Sequence, residues 1–134
     1  MFTTPIDDRY FEDYVEGEIH RFGSITVETD EVIDFAKRFD PQSFHVDPDT
    51  AKLTPFAGLI ASGWHTAALT KRLYVEHYLT HAASLGSPGI DELRWLRPVR
   101  PRHILSVRVT VLRPLEIQTG PWRRHIVRRG FQSS

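Results

Sequence analysis

The chain contains no cysteine in its 134 residues, which excludes disulfide bonds, a thiolate nucleophile and cysteine metal ligands. It also lacks any apolar run near the ~20 residues that a transmembrane helix requires. The first ten residues carry acidic side chains instead of a basic stretch followed by an apolar one, so no secretory signal is predicted. We therefore expect a cytoplasmic protein with no membrane partner.

The formal net charge is +0, but the charges are unevenly distributed. Residues 1–67 contain 5 Lys/Arg against 13 Asp/Glu, and residues 68–134 contain 12 against 4, so the halves carry about −8 and +8. A basic half is suited to nucleic acid or to the phosphates of coenzyme A, although two halves that pack together and neutralise each other explain the pattern better. The arginines lack interleaved aromatic residues, so we expect no nucleic-acid partner.

Length and a hydrophobic share of 40% predict one globular domain over residues 1–134. Periodicity predicts strands and helices in a mixed order. Strands are expected at 18–28, 90–95, 104–112 and around 125–127, and helices at 29–39, 48–53 and 64–79. The expected fold is α+β, with an antiparallel sheet wrapped around the last and longest helix. Because so few strands cannot close a sheet, we expect a homodimer or higher homo-oligomer.

Asp40 and His45 are separated by a short turn that contains Pro41, so both side chains are able to face one cavity. A carboxylate beside an imidazole is suited to proton transfer. The alternative is that Asp40 caps a turn and His45 only hydrogen-bonds its neighbours. A metal site is not expected, because His45-x-Asp47 has no second histidine at ligand spacing in this stretch.

The segment 58–63, Gly-Leu-Ile-Ala-Ser-Gly, leads into the longest predicted helix. A glycine at a helix start lets a ligand oxygen approach backbone N–H groups, where the helix dipole favours negative charge. Gly63 would then be an oxyanion donor. The alternative is that Gly63 serves close packing alone.

The stretch FDPQSFHVDPDTA, followed by FAGLIASGW, resembles the MaoC-like dehydratases, relatives of the (R)-specific enoyl-CoA hydratases. Asp40, His45 and Asp47 match the spacing of that family's hydratase signature, and Ala61-Ser62-Gly63 matches its glycine-containing helix start. The likeness extends over about residues 10–112. It implies a hot-dog fold, although the arginine-rich segment 121–134 predicts that the last strand is missing or altered.

The resemblance implies (R)-specific hydration of a 2-enoyl-CoA, or dehydration of a 3-hydroxyacyl-CoA, by a hydro-lyase. Asp40 and His45 would hold the water and move its proton, in an order that the sequence leaves open, and the Gly63 N–H would stabilise the oxyanion. Coenzyme A enters only as part of the substrate, with no other cofactor. We expect further substrate contacts from Ser62, Trp64, Asp47, Arg94 and Arg97, although a helix cap for Ser62 and core packing for Trp64 are alternatives.

Two other functions are compatible with the same fold. A thioesterase would release a free thiol and would not need the His45 and Asp47 pattern. A non-catalytic module that binds acyl-CoA would bind the thioester without turnover, and the unusual C-terminal segment favours it.

Overall fold

The structure is a computed structural model that describes residues 4–10, 13–79, 81, 89–112 and 129–133. The chain groups into two compact units. The first contains residues 1–23, 73–93 and 106–132, and the second contains 24–72, 94–105 and 133–134. The described elements are a 3-10 helix at Ile6–Asp8, β1 Ile19–Thr26, α1 Thr29–Phe39, α2 Ser43–Val46, α3 Pro48–Lys52, α4 Gly63–His77, β2 Ile104–Thr110 and β3 Arg129–Ser133.

The sheet has the strand order β1-β2-β3. β1 and β2 are antiparallel, because the Val111 N–H donates to Glu18 at one end and the Val27 N–H donates to His103 at the other. Together with α4, this sheet confirms the predicted α+β architecture. The strand expected around 125–127 lies outside the described residues, and whether the last strand is altered stays a prediction.

The strand predicted at 90–95 is wrong, because the structure has no regular element there. Its backbone runs as an irregular segment into Pro98 and Pro101, which lack the N–H groups that a strand ladder requires. The segment is tied to its neighbours by isolated hydrogen bonds, such as the one from the Ala61 N–H to the Val99 carbonyl at 2.7 Å. The apolar side chains that suggested a strand are mostly exposed, so they do not form the buried face that a half-buried strand requires.

Helix α1 forms where the sequence predicts it, with Val32 and Ala36 buried one turn apart on the same face. Its acidic first turn and basic last turn both complement the helix dipole. Glu28 holds the N-cap position and makes no capping bond through its side chain. The helix ends at Phe39, since Pro41 disfavours helical geometry at Asp40.

The second unit has a core made of aliphatic side chains from α1, α3, α4, β2 and the loops between them. Its members are Val27, Val32, Ala51, Leu59, Ala61, Leu69, Val99 and Leu105, with Ile25, Ile33 and Phe44 packed against them. Burial of these side chains supplies the main stabilisation, at about 25 cal/mol for each Å² of apolar surface removed from water. The core therefore fixes the loops that flank Asp40 and Gly63.

Helix α4 contacts β1 within the first unit, where Leu73 lies against Gly23. Gly23 has φ +78, and a Cβ added there would lie 2.8 Å from Leu73 Cδ2. At the end of the helix, the Arg9 guanidinium donates to the carbonyls of His77 and Tyr78. Among the helices of the described ranges, none is long and apolar enough to cross a membrane.

Substitutions at two glycines with positive φ allow the cost of backbone strain to be measured separately from the cost of a steric clash. Gly17 has φ +87 with nothing within 4 Å of an added Cβ, whereas Gly23 adds the contact with buried Leu73. We expect Gly17→Ala to lower the free energy of unfolding by about 1 kcal/mol through strain alone. Gly23→Ala should cost at least about 1 kcal/mol more, because Leu73 must shift. Urea unfolding of both variants measures the difference, and equal losses would contradict the packing argument.

Candidate active site

Asp40 is placed by the end of α1, where its own N–H still donates to the Ala36 carbonyl at 2.8 Å. Both carboxylate oxygens receive hydrogen bonds. The Gln42 amide donates to Oδ1 at 2.7 Å, and the Ser62 hydroxyl donates to Oδ2 at 2.8 Å. The carboxylate is therefore held in one orientation by partners from two separate segments.

His45 lies in the single turn of α2 and is 5% exposed. Its Nδ1 is 2.7 Å from the Ile60 carbonyl oxygen, and its Nε2 is 3.2 Å from Asp40 Oδ2. Because a carbonyl oxygen only accepts, Nδ1 carries a hydrogen. Nε2 is thus the ring nitrogen that is able to gain or lose a proton, and it faces the carboxylate.

Asp40 remains ionised over a wide pH range. The hydrogen bond from Gln42 is the main cause that holds the pKa of Asp40 below its usual value, and the Ser62 bond and the neighbouring His45 act in the same direction. Partial burial opposes them. A carboxylate with a lowered pKa is a weak base, so Asp40 is better suited to orient a partner and to stabilise positive charge on His45 than to keep a proton.

Ser62 is fully buried and immediately precedes α4, which begins at Gly63. As a residue of the first turn, Gly63 has an N–H with no intrahelical acceptor, at the positive end of the helix dipole. The same short segment therefore supplies a hydroxyl for Asp40 and a free backbone donor one residue later. The structure thus brings Asp40, His45 and Ser62 into contact and places Gly63 next to them, and the roles assigned to these residues stay predictions.

A cavity of about 430 Å³ adjoins these groups within the second unit. Polar side chains on its wall come from the Asp40 turn, α2, α4 and the segment 95–99, and apolar ones come from α4 and the flanking loops. Its lining consists of Asp40, Gln42, His45, Phe56, Ile60, Ala61, Gly63, Trp64, Thr66, Trp95, Leu96, Arg97, Pro98 and Val99. An apolar cleft with a few convergent polar groups is the usual form of a small-molecule site.

The structure brings some of the expected substrate contacts to this cavity and leaves others outside it. Trp64 and Arg97 line it, whereas Asp47 and Arg94 do not. Asp47 instead caps α3, accepting hydrogen bonds from the N–H groups of Asp49 and Thr50 and from the Thr50 hydroxyl. The His-x-Asp spacing of the signature is thus explained locally by a helix cap.

Sequence reasoning missed three features of this region. The sequence pattern assigns Gln42, two residues after Asp40, only to a turn, although a side-chain amide so close in sequence is able to donate to the carboxylate. Trp95 was assigned to a strand and instead lies against Gly63. His65 was overlooked: it is buried, with Nε2 2.9 Å from Glu31 Oε1, and joins α4 to α1.

Solved structures of known proteins share this fold. The crystal structure of the MaoC-like dehydratase from Rhodospirillum rubrum superposes with a TM-score of 0.70 at 37% identity, covering 90% of this chain and 77% of that chain. The unliganded R-hydratase PhaJ1 from Pseudomonas aeruginosa gives a TM-score of 0.61 at 25% identity, covering 78% of this chain and 66% of that chain. The fold and site therefore define a hot-dog protein of the hydratase and dehydratase class.

A family model described as the MaoC like domain matches residues 11–120, and the chain belongs to that family. The 3-hydroxyacyl-thioester dehydratase Z of Mycobacterium tuberculosis is 36% identical over 77 residues, which are 56% of this chain and 51% of the relative. This chain thus covers about half the length of that relative. Family membership and these neighbours support a hydratase or dehydratase activity.

Gln42→Ala should raise the pKa of Asp40, because it removes the largest of the contacts that lower it. Carboxyl NMR titration measures the change, and the pKa of Asp47, lowered mainly by the Thr50 hydroxyl, serves as an internal control that should not move.

The same substitution should alter how stability depends on pH. A carboxyl whose pKa is lowered on folding stabilises the protein above its unfolded pKa, and this contribution is lost as the pH falls through the folded value. In Gln42→Ala the loss of unfolding free energy between neutral and acidic pH should therefore be smaller. An unchanged Asp40 titration would show that Gln42 does not control the carboxylate.

Proposed function

We propose that the protein catalyses (R)-specific hydration of a 2-enoyl-CoA and the reverse dehydration of a 3-hydroxyacyl-CoA, as a hydro-lyase. The single observation that carries the proposal is the pairing of His45 Nε2 with Asp40 Oδ2 at 3.2 Å on the cavity wall. The (R) configuration of the proposed product is supported by the similarity to the R-hydratase PhaJ1. Coenzyme A is part of the substrate, and the proposal requires no other cofactor.

In this mechanism a water binds beside the pair and hydrogen-bonds to both the Asp40 carboxylate and His45 Nε2. The water oxygen bonds to C3 while its proton passes to Nε2, which is free to accept because Nδ1 donates to the Ile60 carbonyl. The resulting imidazolium is stabilised by the adjacent carboxylate. Nε2 then returns the proton to C2, so that one water adds across the double bond and His45 ends neutral.

Between these proton transfers, negative charge develops on the thioester oxygen. The Gly63 N–H at the start of α4 is the proposed donor to this enolate oxygen. Losing such a donor typically costs ~3 kcal/mol of barrier, or about two orders of magnitude in rate. Ser62 does not donate to the substrate in this scheme, because its hydroxyl holds Asp40.

Coenzyme A brings phosphates that need cationic partners. Arg97 lines the cavity and is exposed, which suits it to a phosphate or pantetheine oxygen. Arg100 is engaged differently, since its guanidinium donates to the carbonyl of Phe56, a residue that lines the cavity. Asp47 and Arg94 lie outside the lining and have no role in the proposed reaction. The assembly proposed is a homodimer or higher homo-oligomer.

A thioesterase is the second candidate function, because hydrolysis of the thioester would also use a bound water and an oxyanion donor. The close Asp40 and His45 pair favours addition to a double bond, where one group must both take and return a proton. A non-catalytic acyl-CoA module is the third. Free thiol formation and turnover separate the three functions in one assay mixture.

Asp40→Asn and His45→Ala should each lower kcat/KM for crotonyl-CoA by at least about a hundredfold, since each removes a partner in proton transfer. Loss of the absorbance of the conjugated thioester measures hydration, and a thiol reagent added in parallel measures hydrolysis. Asp49→Asn is the matched control, because Asp49 is an exposed carboxylate outside the cavity lining. Thiol release without loss of conjugation would favour the thioesterase, and binding without either would favour the module.

Arg97→Ala should raise KM for crotonyl-CoA about five- to tenfold with little change in kcat, because a phosphate contact acts equally on the ground state and the transition state. The effect should shrink at high ionic strength, where exposed charges are screened. Arg94→Ala is the comparison, since Arg94 is exposed but does not line the cavity. Equal effects of the two substitutions would remove Arg97 from the substrate site.

A further inference from the structure

The Trp95 indole lies directly against the first residue of α4. A Cβ added at Gly63 would lie 2.4 Å from Trp95 Cε2 and 2.7 Å from Trp95 Cδ2, closer than any side chain tolerates. The ring therefore covers the α-carbon of the residue that carries the proposed oxyanion donor. Gly63 is required for this packing as well as for its N–H.

Trp64 extends the same aromatic wall. Its ring meets Trp95 edge to face, with centroids 5.9 Å apart and planes at 78°. Trp64 is 62% exposed and Trp95 48%, although both line the cavity that Asp40 and His45 share. Tryptophans left so exposed beside a cleft are typical of surfaces that an apolar ligand covers.

The position of this wall indicates which part of a thioester it contacts. Gly63 connects the two features, because its N–H is the proposed oxyanion donor and its α-carbon is covered by the Trp95 ring. The indole and a thioester carbonyl bound to that N–H would therefore adjoin the same residue. The pantetheine arm carries amides and the nucleotide carries phosphates, whereas the acyl chain is the apolar part of the substrate. The apolar wall therefore suits the acyl chain.

We propose that Trp95 is the residue that limits acyl length, by closing the cavity beside Gly63 so that short acyl thioesters are preferred. This inference rests on the proposed function. Trp64 supports the ring edge to face and keeps it from swinging off the glycine. The acyl chain then ends against the indole, and chains longer by several methylene groups meet the ring before their thioester oxygen reaches Gly63.

Steady-state kinetics with crotonyl-CoA and octenoyl-CoA test this role. The wild type should prefer crotonyl-CoA, and Trp95→Ala should raise the ratio of kcat/KM for octenoyl-CoA over crotonyl-CoA by at least about tenfold, the gain expected from burying one or two further methylene groups. Trp95→Phe keeps a smaller ring and should give an intermediate ratio, which also guards against poor folding of the alanine variant. Leu53→Ala is the control, because Leu53 is 88% exposed and lies outside the lining.

Binding of the saturated butyryl-CoA and octanoyl-CoA, measured by calorimetry, provides a second readout that does not depend on turnover. Relative to butyryl-CoA, octanoyl-CoA should bind more tightly to Trp95→Ala than to the wild type. Wild-type preference for octenoyl-CoA, or ratios unchanged in both Trp95 variants, would overturn the inference. If no variant turns over either enoyl-CoA, the proposed function fails, and the calorimetric ratios alone decide the role of Trp95.

Discussion

The Asp40 carboxylate joins three segments of the chain, namely the end of α1, the helix α2 and the segment before α4. It ends α1, accepts the Ser62 hydroxyl from the segment before α4, and faces the imidazole of α2. A carboxylate that accepts this many contacts costs little to keep ionised, because its hydrogen bonds replace those lost with water. The position of the proposed water, the stabilisation of positive charge on His45 and the anchoring of Ser62 before α4 all depend on this one group.

Contacts made by His65 also help to position the elements that carry Asp40 and Gly63. His65 is buried on α4, stacks on Phe35 of α1 with centroids 4.8 Å apart, and reaches Glu31 on the same helix. The first half of α1 and the start of α4 are therefore fixed against each other by a second set of contacts. Positioning of this kind matters in catalysis, because a shift of about 1 Å in a reacting group is enough to cost two orders of magnitude in rate.

Gly63 shows how one residue meets two constraints. The Trp95 ring leaves no room for a side chain, and the first turn of α4 leaves the N–H without an intrahelical acceptor. Both readings of this glycine, close packing and a backbone donor, are thus compatible with the same geometry. In the proposed reaction, a tryptophan at this position would narrow the cavity beside the thioester carbonyl and so link acyl selectivity to the site of proton transfer.

The sequence by itself determined most of the local elements, because periodic burial, the stop at Pro41 and the acidic first turn of α1 act over a few residues. The irregular segment at 90–95 was the exception. It also determined that Asp40 and His45 share a turn, and the motifs identified the family. Only the tertiary structure decided which side chains meet across long separations: Ser62 with Asp40, Ile60 with His45 Nδ1, and Trp95 with Gly63. These contacts depend on how the core packs, and packing sums many weak, non-local interactions that no short stretch of sequence encodes.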